Sequence, residues 1–450
     1  MKKSAVFFLL LVAVSILGVV MSMGNGPVQS AKYDSGDVSW ILAATALVLL
    51  MTPGLAYFYG GMIDSKNVIS TMLQSFIAMG VVSVIWIVLG FSLSFGDSLG
   101  GIIGNPTSFF MFQHVLDAKA WPSAPTIPLV LFAFFQLKFA IIAPALISGT
   151  FAERVRFKSY LIFLVLFSLL IYCPLAHWTW HPSGFLYKMG VIDFAGGSVV
   201  HISAGFAALA ASIFLRDRNT VKPKLSPANI PYVLLGTGLL WFGWFGFNAG
   251  SAMSAGMLAA TAFATTNTAS AAAGLSWVLF DSVKGKKPSA LGFCIGAVVG
   301  LVAITPAAGF VSIPSSLLIG TVAGFSSNVV AHWSTTRTSL EDTLDVFPCH
   351  GVGGLVGIIM TGLLASMAVN AGNTTGNGLI FGEFHLISVQ LIGAAVTILY
   401  TFVGSFLILK ITDFFSPMKV SEAEKDVGND FSQHGEKIDS NITILETELN

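Results

Sequence analysis

The sequence predicts an all-α membrane protein, from its composition, the length of its apolar runs and the placement of its basic residues. Of 450 residues, 54% are hydrophobic and only 10% are charged, and the mean hydropathy is +0.81. Soluble domains carry about 25% charged residues. Because the apolar runs are long and continuous, they favour spanning helices over the short alternating strands of a membrane barrel.

A spanning helix needs about 20 mostly apolar residues. Eleven segments of this kind follow the N-terminal apolar run, and we expect all eleven to cross the bilayer. They lie near 40–60, 67–95, 127–150, 158–178, 195–215, 230–250, 255–280, 287–305, 308–331, 349–366 and 387–412.

Lysine and arginine concentrate on the cytosolic side of membrane proteins, so their positions predict orientation. Placing the N-terminus outside and the C-terminus in the cytosol puts most basic residues inside, and only Lys32, Lys119 and Lys188 outside. The predicted cytosolic set is Lys66, Arg154, Arg156, Lys158, Arg216, Arg218, Lys222, Lys224, Lys284, Lys286, Lys287, Arg337, Lys410, Lys419, Lys425 and Lys437.

Both ends of the chain differ from the spanning region. Lys2 and Lys3 precede an unbroken apolar run followed by small residues, a pattern typical of a cleaved secretory signal peptide at 1–24. The alternative is an uncleaved first helix. We predict a membrane domain at 25–415 and a polar cytosolic tail at 416–450, which is either loosely ordered or docked as a regulatory element.

Composition also limits the classes of binding partner that the sequence indicates. Lys plus Arg and Asp plus Glu number 22 each, so the net charge points to no class of partner. No basic patch, zinc spacing or phosphate-binding loop indicates nucleic acid, nucleotide or metal. Cys173, Cys294 and Cys349 lie far apart in apolar runs and are expected to be buried free thiols. We expect no cofactor.

Two histidines stand inside apolar segments, where ionisable residues are expensive and usually functional. Asp193 precedes His201, and Asp345 precedes His350, in similar glycine-rich contexts. The two sites lie five predicted helices apart, an odd number, which gives the copies opposite orientations. Two inverted five-helix repeats would place a transport site between them. Buried structural histidines are the alternative.

Other polar and aromatic residues allow two interpretations each. Asp193 either caps the following helix or attracts a cation. Phe135 and Phe139 share a helix face, and the segment 241–248 is dense in rings. Such rings either pack in the core or hold a small cation against their faces.

Five stretches resemble the ammonium transporters of the Amt/Mep/Rh type, and the similarity runs from about residue 40 to 435. They are FAERVRF at 151–157, DFAGGSVVH at 193–201, GWFGFNAGS at 243–251, DVFPCHG at 345–351 and SQHGE at 432–436. The resemblance implies eleven helices in two inverted halves, a homotrimer with one pore per subunit, and a multi-pass protein of the inner (plasma) membrane. It also allows a PII-type regulatory protein on the cytosolic face.

The same resemblance implies roles for particular residues. An outer site recruits ammonium, a gate lies beneath it, and two histidines line a narrow apolar pore. The implied residues are Trp180, Phe135 and Ser251 at the outer site, Phe139 and Phe247 at the gate, His201 and His350 in the pore, and Asp193 in support of the outer site.

Lys138 departs from the family pattern, because it lies between Phe135 and Phe139 on the same helix. A cation facing the pore entrance would repel ammonium, so we expect its side chain to enter a subunit or helix interface. Two other functional classes stay open at this stage. One is a sensor that binds ammonium and signals to a partner, and the other is an intramembrane enzyme.

Overall fold

The computed structural model describes residues 3–22, 33–216 and 227–438, and this part of the chain is mostly helical. The predictions that concern Lys2, Lys32, Arg218, Lys222, Lys224 and the end of the tail from residue 439 fall outside the described residues. The helices before residue 217 are α1 (Lys3–Ser22), α2 (Ser35–Met62), α3 (Val68–Ile85), α4 (Phe91–Phe95), α5 (Leu129–Phe151), α6 (Phe157–Phe167), α7 (Cys173–Trp180), α8 (Phe185–Met189) and α9 (Ser203–Phe214).

The remaining helices continue the same architecture. They are α10 (Ile230–Gly250), α11 (Met257–Val283), α12 (Ala290–Ile304), α13 (Ile313–Arg337), α14 (Gly353–Leu364), α15 (Phe384–Phe415), α16 (Glu422–Val427) and α17 (Asn429–His434). Short 3-10 helices lie at Ser65–Asn67, Phe110–Phe112 and Leu379–Phe381, and π-helical turns at Trp86–Gly90, Ser168–Tyr172, Gly197–Ile202 and Phe347–Val352. One two-stranded hairpin pairs β1 (Ser98–Leu99) with β2 (Ile103–Gly104).

Within the described ranges, nine helical stretches are long and apolar enough to cross a membrane. A helix occupies each of the eleven predicted segments. Two of these helices fall outside the nine: α11 is less hydrophobic, with many Ala, Thr and Ser residues, and α12 has only 15 residues. The all-helical membrane fold is therefore confirmed, whereas eleven crossings, their orientation and the inverted repeats stay predictions.

Small residues let the helices approach closely. A Cβ at Gly236 of α10 would collide with the backbone of Phe58 in α2, so only glycine permits this contact. α5 is the most enclosed of the nine stretches, with 83% of its apolar window buried. Side chains on most sides of α5 therefore contact other residues of the interior.

The N-terminal helix α1 lies against the loop that follows the hairpin. Gln113 donates a hydrogen bond from Nε2 to the Met21 carbonyl at 3.3 Å. Most described α1 side chains from Phe8 to Val20 are exposed to the surroundings of the chain. The division into a signal peptide at 1–24, a membrane domain at 25–415 and a tail at 416–450 stays a prediction.

The described part of the tail is docked on the end of the bundle that carries the 151–158 loop. Arg156 N donates to the Met418 carbonyl (2.9 Å), and Val420 N donates to the Arg154 carbonyl (3.0 Å). The Asp430 carboxylate accepts hydrogen bonds from Ser70 N (2.7 Å) and Ile69 N (3.0 Å) at the start of α3. The tail is therefore docked as far as residue 438, while its role as a regulatory element stays a prediction.

An ion pair reinforces this docking, with Arg156 Nη2 2.9 Å from Glu424 Oε2. Burial raises the pKa of Glu424, but hydrogen bonds from Arg156 and Ser421 outweigh it and lower the pKa to about 2. A carboxylate whose pKa is lowered on folding stabilises the folded state at pH values above its ordinary pKa. That stabilisation is lost as the pH falls towards about 2. Glu424 is therefore ionised at neutral pH, where its ion pair with Arg156 holds the tail in place.

We expect Glu424→Gln to loosen the tail, because the charge-assisted bond to Arg156 is lost. Limited proteolysis of the purified protein should cleave the 416–438 segment several times faster, by about threefold or more. Glu422→Gln is the matched control, since Glu422 lies on the same helix with 82% of its side chain exposed. Equal cleavage rates for the two variants would contradict the assignment.

Candidate functional site: a histidine pair beneath an aromatic cavity

Two histidines from distant parts of the chain meet in the interior. Nδ1 of His350 lies 3.3 Å from Nδ1 of His201, and the ring centroids are 5.4 Å apart at an interplanar angle of 20°. Both residues are at most 2% exposed. A hydrogen bond between two neutral imidazoles requires one donor and one acceptor nitrogen. The two rings therefore carry opposite tautomers, one protonated on Nδ1 and the other on Nε2.

Asp193 fixes the start of the helix that carries His201. Its two carboxylate oxygens accept backbone N–H groups from the following turn. These groups would otherwise be unsatisfied helix-terminal donors in an apolar environment. Burial raises the pKa of Asp193, and the hydrogen bonds oppose this shift. The donors are Gly196 (2.8 Å), Gly197 (2.6 Å), Ser198 (2.8 Å) and Val199 (3.4 Å).

The capping interpretation of Asp193 therefore has direct geometric support. Gly196 has a φ of +116°, a left-handed conformation that favours glycine and lets the chain turn into the helix. The first turn, Gly197–Ile202, is π-helical and leads into α9. Together these features set the direction in which His201 points.

The second histidine has an equivalent carboxylate, but it is Asp342 and not the expected Asp345. Asp342 Oδ2 accepts a hydrogen bond from Phe347 N at 2.6 Å, and Oδ1 accepts one from Thr150 Oγ1 at 2.7 Å. Asp345 instead lies in the connecting turn with a φ of +54°. The Asp193-to-His201 and Asp342-to-His350 separations are both eight residues (201 − 193 and 350 − 342). This equal spacing was the sequence signal that would have identified Asp342.

Close backbone contact brings the two histidine segments together. The π-helical turn Phe347–Val352 carries His350 and leads into α14. A Cβ at Gly205, in α9, would collide with the backbone of Gly351 beside that histidine. Any larger side chain at this position would therefore separate the two segments and lengthen the imidazole contact.

Aromatic rings form a column above His201. The Phe247 ring lies 6.0 Å from the His201 ring, and the Phe139 ring lies 4.2 Å from Phe247 at 30°. Trp180 meets Phe139 edge-on at 5.9 Å. Trp244 stacks on His201 at 5.3 Å. The predicted gate pair, Phe139 and Phe247, is thus in direct contact above the predicted pore histidine.

A cavity of about 690 Å³ lies on the other side of this column. Trp180, Phe139, Asp193 and Ser251 are among its lining residues. Ser251 Oγ donates to the Phe247 carbonyl at 2.8 Å, so its lone pairs remain available to accept a further hydrogen bond. The structure therefore brings the indole and hydroxyl of the predicted outer site to one cavity.

Phe135 occupies a different position from the other two predicted members of the outer site. Its ring is fully buried, packs on Phe139 at 5.0 Å, and lies against Gly250 beside Ser251. It is not among the described residues that line the cavity. Phe135 supports the cavity wall from behind.

Lys138 does not enter the cavity. Its Nζ lies 5.7 Å from the centroid of the Phe134 ring, and Phe134 is partly exposed on the outer surface of the bundle. Among the described residues, the lysine has no carboxylate partner. The side chain is thus directed away from the aromatic column, while its expected interface partner stays a prediction.

The cysteines and the carboxylates give no indication of a metal centre. Cys173, Cys294 and Cys349 are buried and free. No group of three or more potential metal ligands occurs in the ranges that the structure covers. The chemistry available at the column is therefore that of imidazole, aromatic faces and hydroxyl groups.

Apolar helices around a buried column of rings and imidazoles define a multi-pass membrane protein. The profile of the Ammonium Transporter Family matches residues 39–438. The chain belongs to this family of transporters and is not an enzyme, which excludes the intramembrane enzyme among the functional classes that the sequence left open.

Several curated relatives support this assignment. A putative ammonium transporter of Methanothermobacter thermautotrophicus is 45% identical over 404 residues, covering 90% of this chain and 98% of the relative. An ammonium transporter of Bacillus subtilis is 43% identical over 406 residues, covering 89% of this chain and 98% of the relative. Nearly the whole of each relative is therefore represented here.

Solved structures agree with the fold. The crystal structure of Saccharomyces cerevisiae Mep2 matches with a TM-score of 0.81 at 34% identity, covering 87% of this chain and 89% of that one. A structure named Sensor Amt Protein matches with a TM-score of 0.80 at 28% identity, covering 89% and 98%. The second match keeps the sensor hypothesis relevant.

We expect Asp342→Asn to lower thermal stability more than Asp345→Asn, because the Asp342 carboxylate accepts both Phe347 N and the Thr150 hydroxyl at the start of the helix carrying His350. Loss of one buried acceptor should cost about 1–2 kcal/mol. Thermal unfolding of the detergent-purified variants measures the difference. A larger loss for Asp345→Asn would show that the cap was assigned to the wrong carboxylate.

Proposed function

We propose that the chain recruits ammonium in the outer cavity and conducts ammonia past His201 and His350, after the ion has given its proton to water in the cavity or to the histidine pair. The observation that carries the proposal is the buried Nδ1–Nδ1 contact of 3.3 Å, reached from the cavity through the Phe139–Phe247 pair. Transport proceeds with or without separate proton transfer along the same path.

Selectivity follows from the cost of removing an ion from water. A bare cation in an apolar passage loses its hydration, which costs many kcal/mol. Potassium cannot avoid that cost. Ammonium is of similar size but can release a proton and cross as a neutral molecule. Paired neutral imidazoles offer that molecule a donor and an acceptor while excluding the charge.

Each part of the site has a role in this mechanism. The Trp180 face attracts the cation, and the Ser251 hydroxyl accepts one of its N–H groups. Phe139 and Phe247 separate the wet cavity from the dry pore. Asp193 supports the site through the backbone that it caps, because Trp180 Nε1 donates to its main-chain carbonyl at 3.1 Å. The remaining predicted member, Phe135, holds the wall in place.

We further propose eleven crossings with the N-terminus outside, arranged as two inverted five-helix repeats. The equal Asp–His spacing and the paired π-helical turns support the repeats. In this topology the docked tail lies in the cytosol, where a PII-type regulatory protein can meet it. The proposed assembly is a homotrimer in the inner (plasma) membrane, with residues 1–24 removed as a signal peptide.

A sensor that binds ammonium without transporting it is the second candidate, favoured by the match to Sensor Amt Protein. The two functions share a recruitment site and differ in conduction. Ammonium-dependent current or uptake in proteoliposomes distinguishes them, because a pure sensor binds the ion without net flux.

His201→Ala and His350→Ala should each change ammonium flux about tenfold or more, or reduce discrimination against potassium. The reason is that each leaves the partner imidazole unpaired in a dry site. Solid-supported-membrane currents with ammonium and potassium pulses measure both quantities. His332→Ala, at an exposed position on α13, is the control. Wild-type flux and selectivity in both variants would make the pore assignment wrong.

Ser251→Leu should raise the half-saturating ammonium concentration by about tenfold, because the cavity loses an acceptor and some volume. The concentration dependence of the current is the measurement. Ser282→Leu is a matched control, since Ser282 Oγ also bonds a carbonyl four residues earlier but lies at an exposed position. An unchanged half-saturating concentration would remove Ser251 from the site.

A further inference from the structure

One wall of the outer cavity carries three polar atoms without hydrogen bonds to the described residues. They are Trp121 Nε1, Gln136 Oε1 and Thr179 Oγ1, and all three residues line the cavity. The residues are 8%, 5% and 3% exposed. Buried polar atoms are almost always hydrogen-bonded. This wall therefore has unused polar capacity next to a space large enough for a ligand.

Ring contacts hold these residues together, although they come from three different elements. The Trp121 ring stacks on Phe132 at 5.2 Å and 15°, and Phe132 lies one helical turn before Gln136 on α5. Trp121 also contacts the ring of His181 edge-on, with the ring centroids 5.4 Å apart. His181 lies two residues after Thr179 in the sequence. We call Trp121, Phe132, Gln136 and Thr179 the Trp121 wall.

The chemistry of the wall suits a small cation that also donates hydrogen bonds. Gln136 Oε1 and Thr179 Oγ1 are acceptors, and the faces of Trp121 and Phe132 attract positive charge. The terminal torsion of glutamine is broad, so rotation of the Gln136 amide turns its oxygen into the cavity without moving the backbone. Ammonium has the charge that the rings attract and the N–H donors that the two acceptors require, whereas the Trp121 N–H is itself a donor and needs water in the cavity as its acceptor.

We propose that the Trp121 wall is a second ammonium subsite, in which Gln136 and Thr179 accept N–H groups from the ion. It rests on the proposed function and adds a capture step to it. Thr179 is adjacent in sequence to Trp180, so an ion held at the wall is next to the first site. Ser251, by contrast, reaches the cavity from the end of α10.

The test compares full-length wild type with Thr179→Val and Gln136→Met in proteoliposomes. Each variant removes one acceptor at nearly constant volume, and each should raise the half-saturating ammonium concentration by about three- to tenfold. Maximal current and potassium discrimination should be unchanged, because the histidine pair is intact. Thr179→Ser keeps the hydroxyl and should behave as wild type.

Thr361→Val is the matched control, because Thr361 is equally buried but its hydroxyl bonds the Gly357 carbonyl at 2.8 Å. It should leave the half-saturating concentration unchanged. If the wall binds water only, Thr179→Val and Gln136→Met will match wild type, and that result would overturn the subsite.

A second readout separates this proposal from the proposed function. Ligand binding to the folded state raises the unfolding temperature. Purified protein is titrated with ammonium chloride and with potassium chloride, and the ammonium-specific stabilisation should be weaker in Thr179→Val. Such a loss without any wild-type current supports the subsite while contradicting transport. Equal stabilisation of wild type and Thr179→Val rejects the subsite even if transport is present.

Discussion

The hydrogen bond between Nδ1 of His201 and Nδ1 of His350 is the interaction on which the rest of the interior depends. It joins residues 149 positions apart and requires at least one ring to be neutral, because one of the two Nδ1 atoms must accept the proton of the other. The neighbouring rings of Trp244 and Phe247 cover His201, which is 1% exposed. The surrounding helices must therefore deliver both imidazoles to one position with little tolerance.

Carboxylates at the helix starts provide that accuracy. Asp193 binds the N-terminal turn before α9, and Asp342 binds the turn before α14 while also accepting the Thr150 hydroxyl from α5. Arg154, at the end of this region, contacts both the side chain and the main-chain carbonyl of Glu341. The backbone of Arg154 in turn pairs with the docked tail. A continuous set of polar contacts thus runs from the tail to the start of the second histidine segment.

Much of this arrangement could be predicted from sequence, because hydrocarbon solvent allows few alternatives to long apolar helices. The helical segments, the paired histidines and the Phe139–Phe247 contact follow from local composition and motif. The cap of the second helix was missed because Asp345 is closer to His350 than Asp342, and only the tertiary fold brings Thr150 to it. Phe135 is fully buried against Phe139, and its membership of the outer site stays a prediction.

The position of Trp121 could not be predicted either, because it lies in a loop where neither helical periodicity nor the family motifs apply. Loop residues are placed by what they pack against, here Phe132 and His181, and that information is absent from local sequence. The direction of Lys138, away from the aromatic column, agrees with the expectation from charge repulsion, whereas its interface partner stays a prediction.

The matched π-helical turns have a consequence for how the chain tolerates change in length. A π turn accommodates one more residue than an α-helical turn, and each residue of an α-helix rotates the side-chain direction by about 100°. Deleting a single residue from Gly197–Ile202 would remove the residue that the wider turn accommodates, so His201 would take a new position relative to the Asp193 cap. A substitution changes one side chain, whereas a deletion changes the number of residues from carboxylate cap to imidazole, which is eight in both halves.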